Sequence, residues 1–194
     1  MNTYVELKDS LTSREAIEKI VAEIVPYDKL EKEHLQETLA WIKSGASIFR
    51  TKNPDTFKKH LCSYVVLYDQ LKEKILLMNH KKAQLWLPAG GHIEENEHPR
   101  DTAKRECLEE LNIDPEFWRD EPVFLTSTLT VGLTPGHNDV NLWYVIKGES
   151  NNHLNVDPHE FSAFKWFKFE EIPYECSDLF MRRFIGKMKT LVEC

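Results

Sequence analysis

Long apolar runs are missing from this chain, and with them any segment able to span a bilayer. The opening residues, MNTYVELKDS, lack the basic-then-apolar order of a secretory leader, so a cytoplasmic location is expected. Cysteine is sparse: Cys62, Cys107, Cys176 and Cys194 stand apart, with no CxxC pair. Reduced thiols are expected, and neither a disulfide framework nor a zinc site built from these cysteines is. Positive charge is short as well. With 25 Lys and Arg against 32 Asp and Glu the net charge is −7, which argues against a surface that coats polymeric nucleic acid. A phosphorylated ligand would need local cations, from a metal or a few basic side chains. No internal repeat or low-complexity tract is present.

What the chain does have is 194 residues, 41% of them apolar and 29% charged, enough for one soluble domain with an appendage. Residues 1–57 carry a helical period. Thr12 and Glu15 read as a capping box opening a helix with Ile17, Ile20, Val21, Ile24 and Val25 on one face, stopped by Pro26. Asp28 and Glu31 offer a second start before Leu30, Leu35, Leu39, Trp41 and Ile42, with Gly45 as the end. The expectation is an N-terminal helical hairpin, joined by the linker Lys52 to Asp55 to a second unit over 58–194. Its apolar faces could dimerise two chains, cover an active site, or pack on the chain's own core.

Beyond His60 the period shortens. Residues 61–69 and 74–78 read as a strand hairpin, 123–131 and 141–148 as further strands, 164–169 as another, and 179–192 as a closing helix. The run 85–91 is apolar but broken by Pro88 and two glycines. Strands interrupted by one helix and closed by another predict a mixed α/β layered fold.

The chemistry is concentrated between Gly90 and Ile113. A helix over Pro99–Leu111 would bury Ala103, Cys107 and Leu111 and gather Glu106, Glu109 and Glu110 within one arc, since each residue turns about 100°. Carboxylates that close repel by a few tenths of a kcal/mol per pair even when exposed. A hard divalent ion among them removes that cost. Pro99 suits the first turn, and Asn112 tolerates a left-handed cap.

Gly91, Glu97, Arg105, Glu106, Cys107, Glu109, Glu110, Asn112 and Ile113 reproduce the spacing of a known box: Gly, five residues, Glu, seven residues, Arg-Glu, apolar, any, Glu-Glu, any, Gly, apolar. In this the chain resembles the Nudix (MutT-like) hydrolases. It departs at Asn112, where the family has glycine, and at Cys107, where leucine is commoner; neither position carries a charge. The resemblance implies a mixed-sheet α/β/α sandwich and hydrolysis of a pyrophosphate bond in a nucleoside diphosphate linked to another moiety. The cofactor it implies is Mg²⁺ or Mn²⁺. Glu106, Glu109 and Glu110 are then metal ligands, Gly90 adds its carbonyl oxygen, and Arg105 and Glu97 orient the carboxylates. Glu109, Glu110 or a residue from elsewhere takes the water proton.

Outside the box, Glu160 is either an added metal-binding or base glutamate or a solvated loop acid. His80, Lys81 and Lys82 either meet phosphate or form a basic turn. Trp86 and Trp143 either stack on a base or lie in the core. His137, Asn138 and Asp139 form either a polar turn or a substrate-facing rim. Over Leu125–Val131 the chain has neither the proline of ADP-ribose-preferring subfamilies nor the tyrosine of those for dinucleoside polyphosphates, and a modified nucleoside triphosphate stays open. The expected partner is therefore a small nucleotide-type molecule rather than a nucleic-acid polymer or a membrane. Some relatives sense nucleotides without cleaving them, usually after losing box glutamates; a charge-complete box favours catalysis.

Overall fold

Two helices come first, and the second begins and ends where its sequence gives a reason. The computed structural model describes residues 13–50, 59–130 and 136–193. Helix α1 covers Ser13–Glu23 and α2 covers Lys29–Lys43. The Asp28 carboxylate accepts the Glu31 amide at 2.9 Å, capping α2, and Gly45 takes φ of +78° just past its end. Thr12, and with it the expected capping box, and the Lys52 to Asp55 linker lie outside the described residues. Ile17, Val21, Leu35 and Ile42 are buried, so these faces are spent within the chain. Val25 and Leu30 were expected on the buried faces and are instead 77% and 38% exposed. The reason is that α1 ends at Glu23, and α2 turns Glu31, His34, Leu35, Thr38 and Ile42 inward.

The rest of the chain runs β1 (Lys59–Asp69), β2 (Lys74–His80), β3 (Leu85–Leu87), β4 (Ala89–His92), α3 (Pro99–Leu111), β5 (Phe124–Leu129), β6 (Asn138–Lys147), β7 (Phe161–Lys168) and α4 (Met181–Val192). The apolar run 85–91 is thus two strands parted at Pro88, which cannot donate to a ladder. All seven strands share one mixed sheet. β1 is its axis. One margin pairs in parallel with β6 from Lys59↔Asn138 to Tyr68↔Lys147. The other is divided, with β2 antiparallel at its far end (Tyr68↔Ile75) and β4 antiparallel at its near end (Val65↔Ala89). β2 also carries β3 and β7, and β5 lies antiparallel on β6.

Side chains alternate across the sheet. Leu61, Val65 and Leu67 of β1, with Val140, Leu142, Tyr144 and Ile146 of β6, pack in one core with Ala103, Cys107 and Leu111 of α3. Val66 and Tyr68, with Trp143 and Val145, share the other core with Met181, Phe184, Ile185 and Met188 of α4. The architecture is an α/β/α sandwich. The helical hairpin closes its β5 edge. There the Leu125 amide donates to Glu31 Oε1 at 3.2 Å and the Ser127 amide to His34 Nδ1 at 3.4 Å, so two edge donors end on side chains one helical turn apart. Among the described residues no helix is long and apolar enough to cross a membrane.

Candidate active site

Helix α3 is set on the sheet by its own ends. Ser63 Oγ on β1 donates to the Pro99 carbonyl at 2.8 Å, and His98 Nδ1 accepts the Arg100 amide at 3.1 Å. At the far end Asn112 adopts φ 53°, ψ 43°, and the Ile113 amide turns back to the Cys107 carbonyl at 3.3 Å. The asparagine therefore supplies the left-handed closure that a glycine gives.

Two glycines on β4 allow close approaches, one to β1 and one to α3. Gly90 has φ of +148°, and a Cβ there would lie 2.3 Å from the Ser63 carbonyl oxygen. At Gly91 a Cβ would lie 2.2 Å from Glu106 Oε1, so the Glu106 carboxylate rests where any side chain would stand. The Gly90 amide donates to Glu110 Oε2 at 3.0 Å.

Arg105 organises the remaining carboxylates. Its Nε and Nη2 grip the two oxygens of Glu97 at 3.0 and 3.1 Å, a bidentate pair. Nη1 reaches Glu106 Oε1 at 2.6 Å and Glu109 Oε2 at 3.4 Å, and Nη2 also donates to the His92 carbonyl at 3.2 Å. Burial works to raise Glu97, but bonds from Arg105 and Thr102 outweigh it and its pKa falls. The bond to Glu97 raises Arg105 itself.

Of the three glutamates only Glu109 is exposed: Glu106 and Glu110 are 8% and 5% exposed. Burial, opposed by Arg105, raises Glu106. Burial and the nearby Glu106 charge push Glu110 up to about 9. Burial thus favours the protonated form of both carboxyls.

All three glutamates open on a cleft of about 1000 Å³, with Gly90, Gly91, His80, Lys82 and Glu160 also on its wall. Glu160 Oε2 stands 3.9 Å from His80 Nε2, and His80 Nδ1 accepts the amides of Lys82 and Ala83. Burial lowers His80, against the pull of Glu160. Arg105 and Glu97 sit behind this wall. Trp86 is not brought to it: the ring packs edge-on against Phe167, 5.2 Å between centroids, and the substrate contact expected of it is replaced by a core contact. Trp143 is likewise core, stacked on Phe184.

The cleft also holds residues outside the fixed positions of the box. Cys62, Tyr64 and His92 line it, together with His137 and Asp139, and Asp178 lies on the same wall. Burial pushes Asp178 up to about 6, and burial with the nearby His60 and Arg50 drops His92 to about 4. The alternation His60, Cys62, Tyr64 was the available signal, since a period of two places these residues on one sheet face.

A family model for the NUDIX domain matches residues 58–188. The chain belongs to the Nudix family. Over 122 residues it is 33% identical to the zebrafish (Danio rerio) protein named m7GpppN-mRNA hydrolase NUDT17. That match takes 52% of this chain and spans only 39% of the zebrafish protein's length. Solved structures share the Nudix fold at lower identity. A Nudix-family hydrolase from Clostridium perfringens superposes with a TM-score of 0.53 at 22% identity, covering 68% of this chain and 97% of that one. The Ap4A hydrolase of C. elegans gives 0.55 at 19%, covering 68% and 97%. The Nudix domain of Shewanella oneidensis NrtR, solved with ADP-ribose, gives 0.54 at 18%, covering 73% and 94%.

Proposed function

We propose that this Nudix protein is a Mg²⁺- or Mn²⁺-dependent hydrolase that cleaves a pyrophosphate bond in a nucleoside diphosphate joined to another moiety, modified nucleoside triphosphates included. Residues 58–194 form its catalytic domain and 1–57 a helical extension. The observation that carries the reading is the convergence of Glu106, Glu109 and Glu110 on one cleft, with Glu106 seated on Gly91 and Glu110 tied to the Gly90 amide.

The donor set fits a hard divalent ion. It consists of carboxylates and the Gly90 carbonyl, and the upward push on Glu106 and Glu110 is the penalty a cation relieves. When bound, the ion neutralises the diphosphate and lowers the pKa of a water. Arg105, clamped by Glu97, fixes the carboxylates before substrate arrives. Lys82 and His80 line the same cleft and meet the phosphates. Glu109, Glu110 or Glu160, all on the cleft wall, accepts the water proton. The zebrafish relative is named an m7GpppN-mRNA hydrolase, so cap analogues belong among the substrates to be tried.

The test is a screen of the full chain against nucleotide sugars, nucleoside triphosphates, dinucleotides, coenzymes and a cap analogue, reading phosphate products with Mg²⁺ or Mn²⁺ and with chelator. Ion-dependent turnover of at least one compound is expected, falling by orders of magnitude in Glu109→Gln and Glu110→Gln. Turnover unaffected by both substitutions would overturn the assignment.

A further inference from the structure

A second group of potential ligands stands beside the glutamates, and the sheet assembles it. β4, β1 and β6 are neighbours, and their register sets His92 opposite Cys62 and Asp139 opposite His60. His60 and Cys62 are two residues apart on β1, so all four side chains leave the same face. Directly opposed residues on paired strands bring their Cβ atoms within about 5 Å. The outcome is that a ligand atom from each of His60, Cys62, His92 and Asp139 lies within 4.8 Å of every other.

This cluster is not an internally satisfied polar network. His60 is 2% exposed, and neither of its ring nitrogens has a hydrogen-bond partner. Its Nε2 does stand 2.7 Å from Asp139 Oδ1, but not along the ring N–H direction a hydrogen bond needs, and that oxygen is also unpartnered. Asn141, opposite Cys62 on β6 and 1% exposed, has both amide atoms unpartnered. A buried polar group left this way costs about 1–3 kcal/mol, and several share one spot. A bound cation is one resolution of such a buried, unpartnered cluster.

We propose that His60, Cys62, His92 and Asp139 form a transition-metal site of the Zn²⁺ class, separate from the hard-ion site of the glutamates. One soft thiolate and two borderline imidazoles, joined by a single hard carboxylate, suit tetrahedral Zn²⁺ or Co²⁺ and suit Mg²⁺ poorly. Bonds of about 2.0–2.3 Å put tetrahedral ligand atoms about 3.5 Å apart. Spans up to 4.8 Å therefore close with side-chain rotations of about 1 Å. On binding, the Cys62 S–H bond is exchanged for a metal–sulfur bond and the proton leaves to solvent. Arg50, an exposed side chain whose Nη1 is 3.1 Å from His92 Nδ1, swings out when the metal takes that nitrogen. With four protein ligands the site is closed, and its role is to tie β4, β1 and β6 together along the cleft wall.

The full chain, stripped with chelator and titrated with Co²⁺ in excess Mg²⁺, tests this. One Co²⁺ per chain is expected, with the intense d–d bands of a tetrahedral ion and a thiolate-to-cobalt charge-transfer band. Cys62→Ser should abolish the charge-transfer band, Asp139→Asn should weaken binding at least tenfold, and Arg50→Ala should tighten it. Glu109→Gln, which disables the hydrolase site, should leave the spectrum unchanged, so loss of turnover and loss of cobalt are read apart. A folded wild-type chain that binds no Co²⁺, or whose spectrum lacks the thiolate band, overturns the proposal, as does a folded Asp139→Asn chain with undiminished affinity.

Discussion

Lys187 Nζ lies 2.7 Å from Glu31 Oε1, joining α4 to α2 through two side chains that are 5% and 0% exposed. Glu31 also accepts the Tyr27 amide at 2.6 Å and the Leu125 amide, and Lys187 donates to the Val25 carbonyl at 2.6 Å. Burial moves the two groups toward neutrality, Glu31 upward and Lys187 downward, while each opposes the other's shift. Breaking such a pair from one side strands a buried charge.

Glu31→Ala is therefore expected to lower unfolding stability by about 3–5 kcal/mol, and Lys187→Met by less, since it leaves the two backbone amides with their acceptor. The double variant Glu31→Gln/Lys187→Met should recover part of the loss. Urea denaturation of the four proteins checks the order.

The acid limb of stability should trace to Asp28. Its bonds to Arg183, with those to the Glu31 and Leu30 amides, hold it at about 2 against partial burial. The folded pKa lies below the unfolded one, so the contribution is present above about pH 4 and lost as pH falls toward 2. In Arg183→Ala that part of the slope in unfolding stability against pH should flatten. An unchanged slope would show that the pair contributes nothing to acid resistance.

Adjacent glycines should fail in different ways. Gly90→Ala puts a side chain on a positive φ and into the Ser63 carbonyl, so the expected result is lost stability, on the order of 2–4 kcal/mol. At Gly91→Ala the nearest atoms are the end of the Glu106 side chain, which can move. The fold should survive while ion-dependent turnover drops at least tenfold. Thermal melts beside activity at rising Mg²⁺ distinguish the two.

Lys82→Ala should raise KM about tenfold with kcat little changed, because a cation on the cleft wall binds phosphate in ground and transition states alike. An equal fall in kcat and kcat/KM would assign Lys82 to the reacting phosphorus instead.

Much of this site could be read in the sequence because its information is local. Pro99 and Asn112 bracket α3, and Ala103, Cys107 and Leu111 are buried as their spacing predicts. The burial of Glu106 and Glu110 was not legible, since it follows from Gly90 and Gly91 arriving on a neighbouring strand. The short strand Leu85–Leu87 offers no facial preference, so Trp86 could not be assigned to cleft or core. Asp139 met His60 only through the parallel pairing of β1 with β6, two strands distant in sequence whose register no local pattern encodes.

The way α2 lies along β5 reaches beyond the monomer. An uncovered rim of that kind is a template on which another polypeptide can add itself, and Glu31 and His34 already occupy two of its hydrogen-bonding positions. Two copies could join their sheets there only by first peeling the hairpin away. The helical segment thus acts as a built-in guard against runaway strand addition, whatever else it does for the cleft.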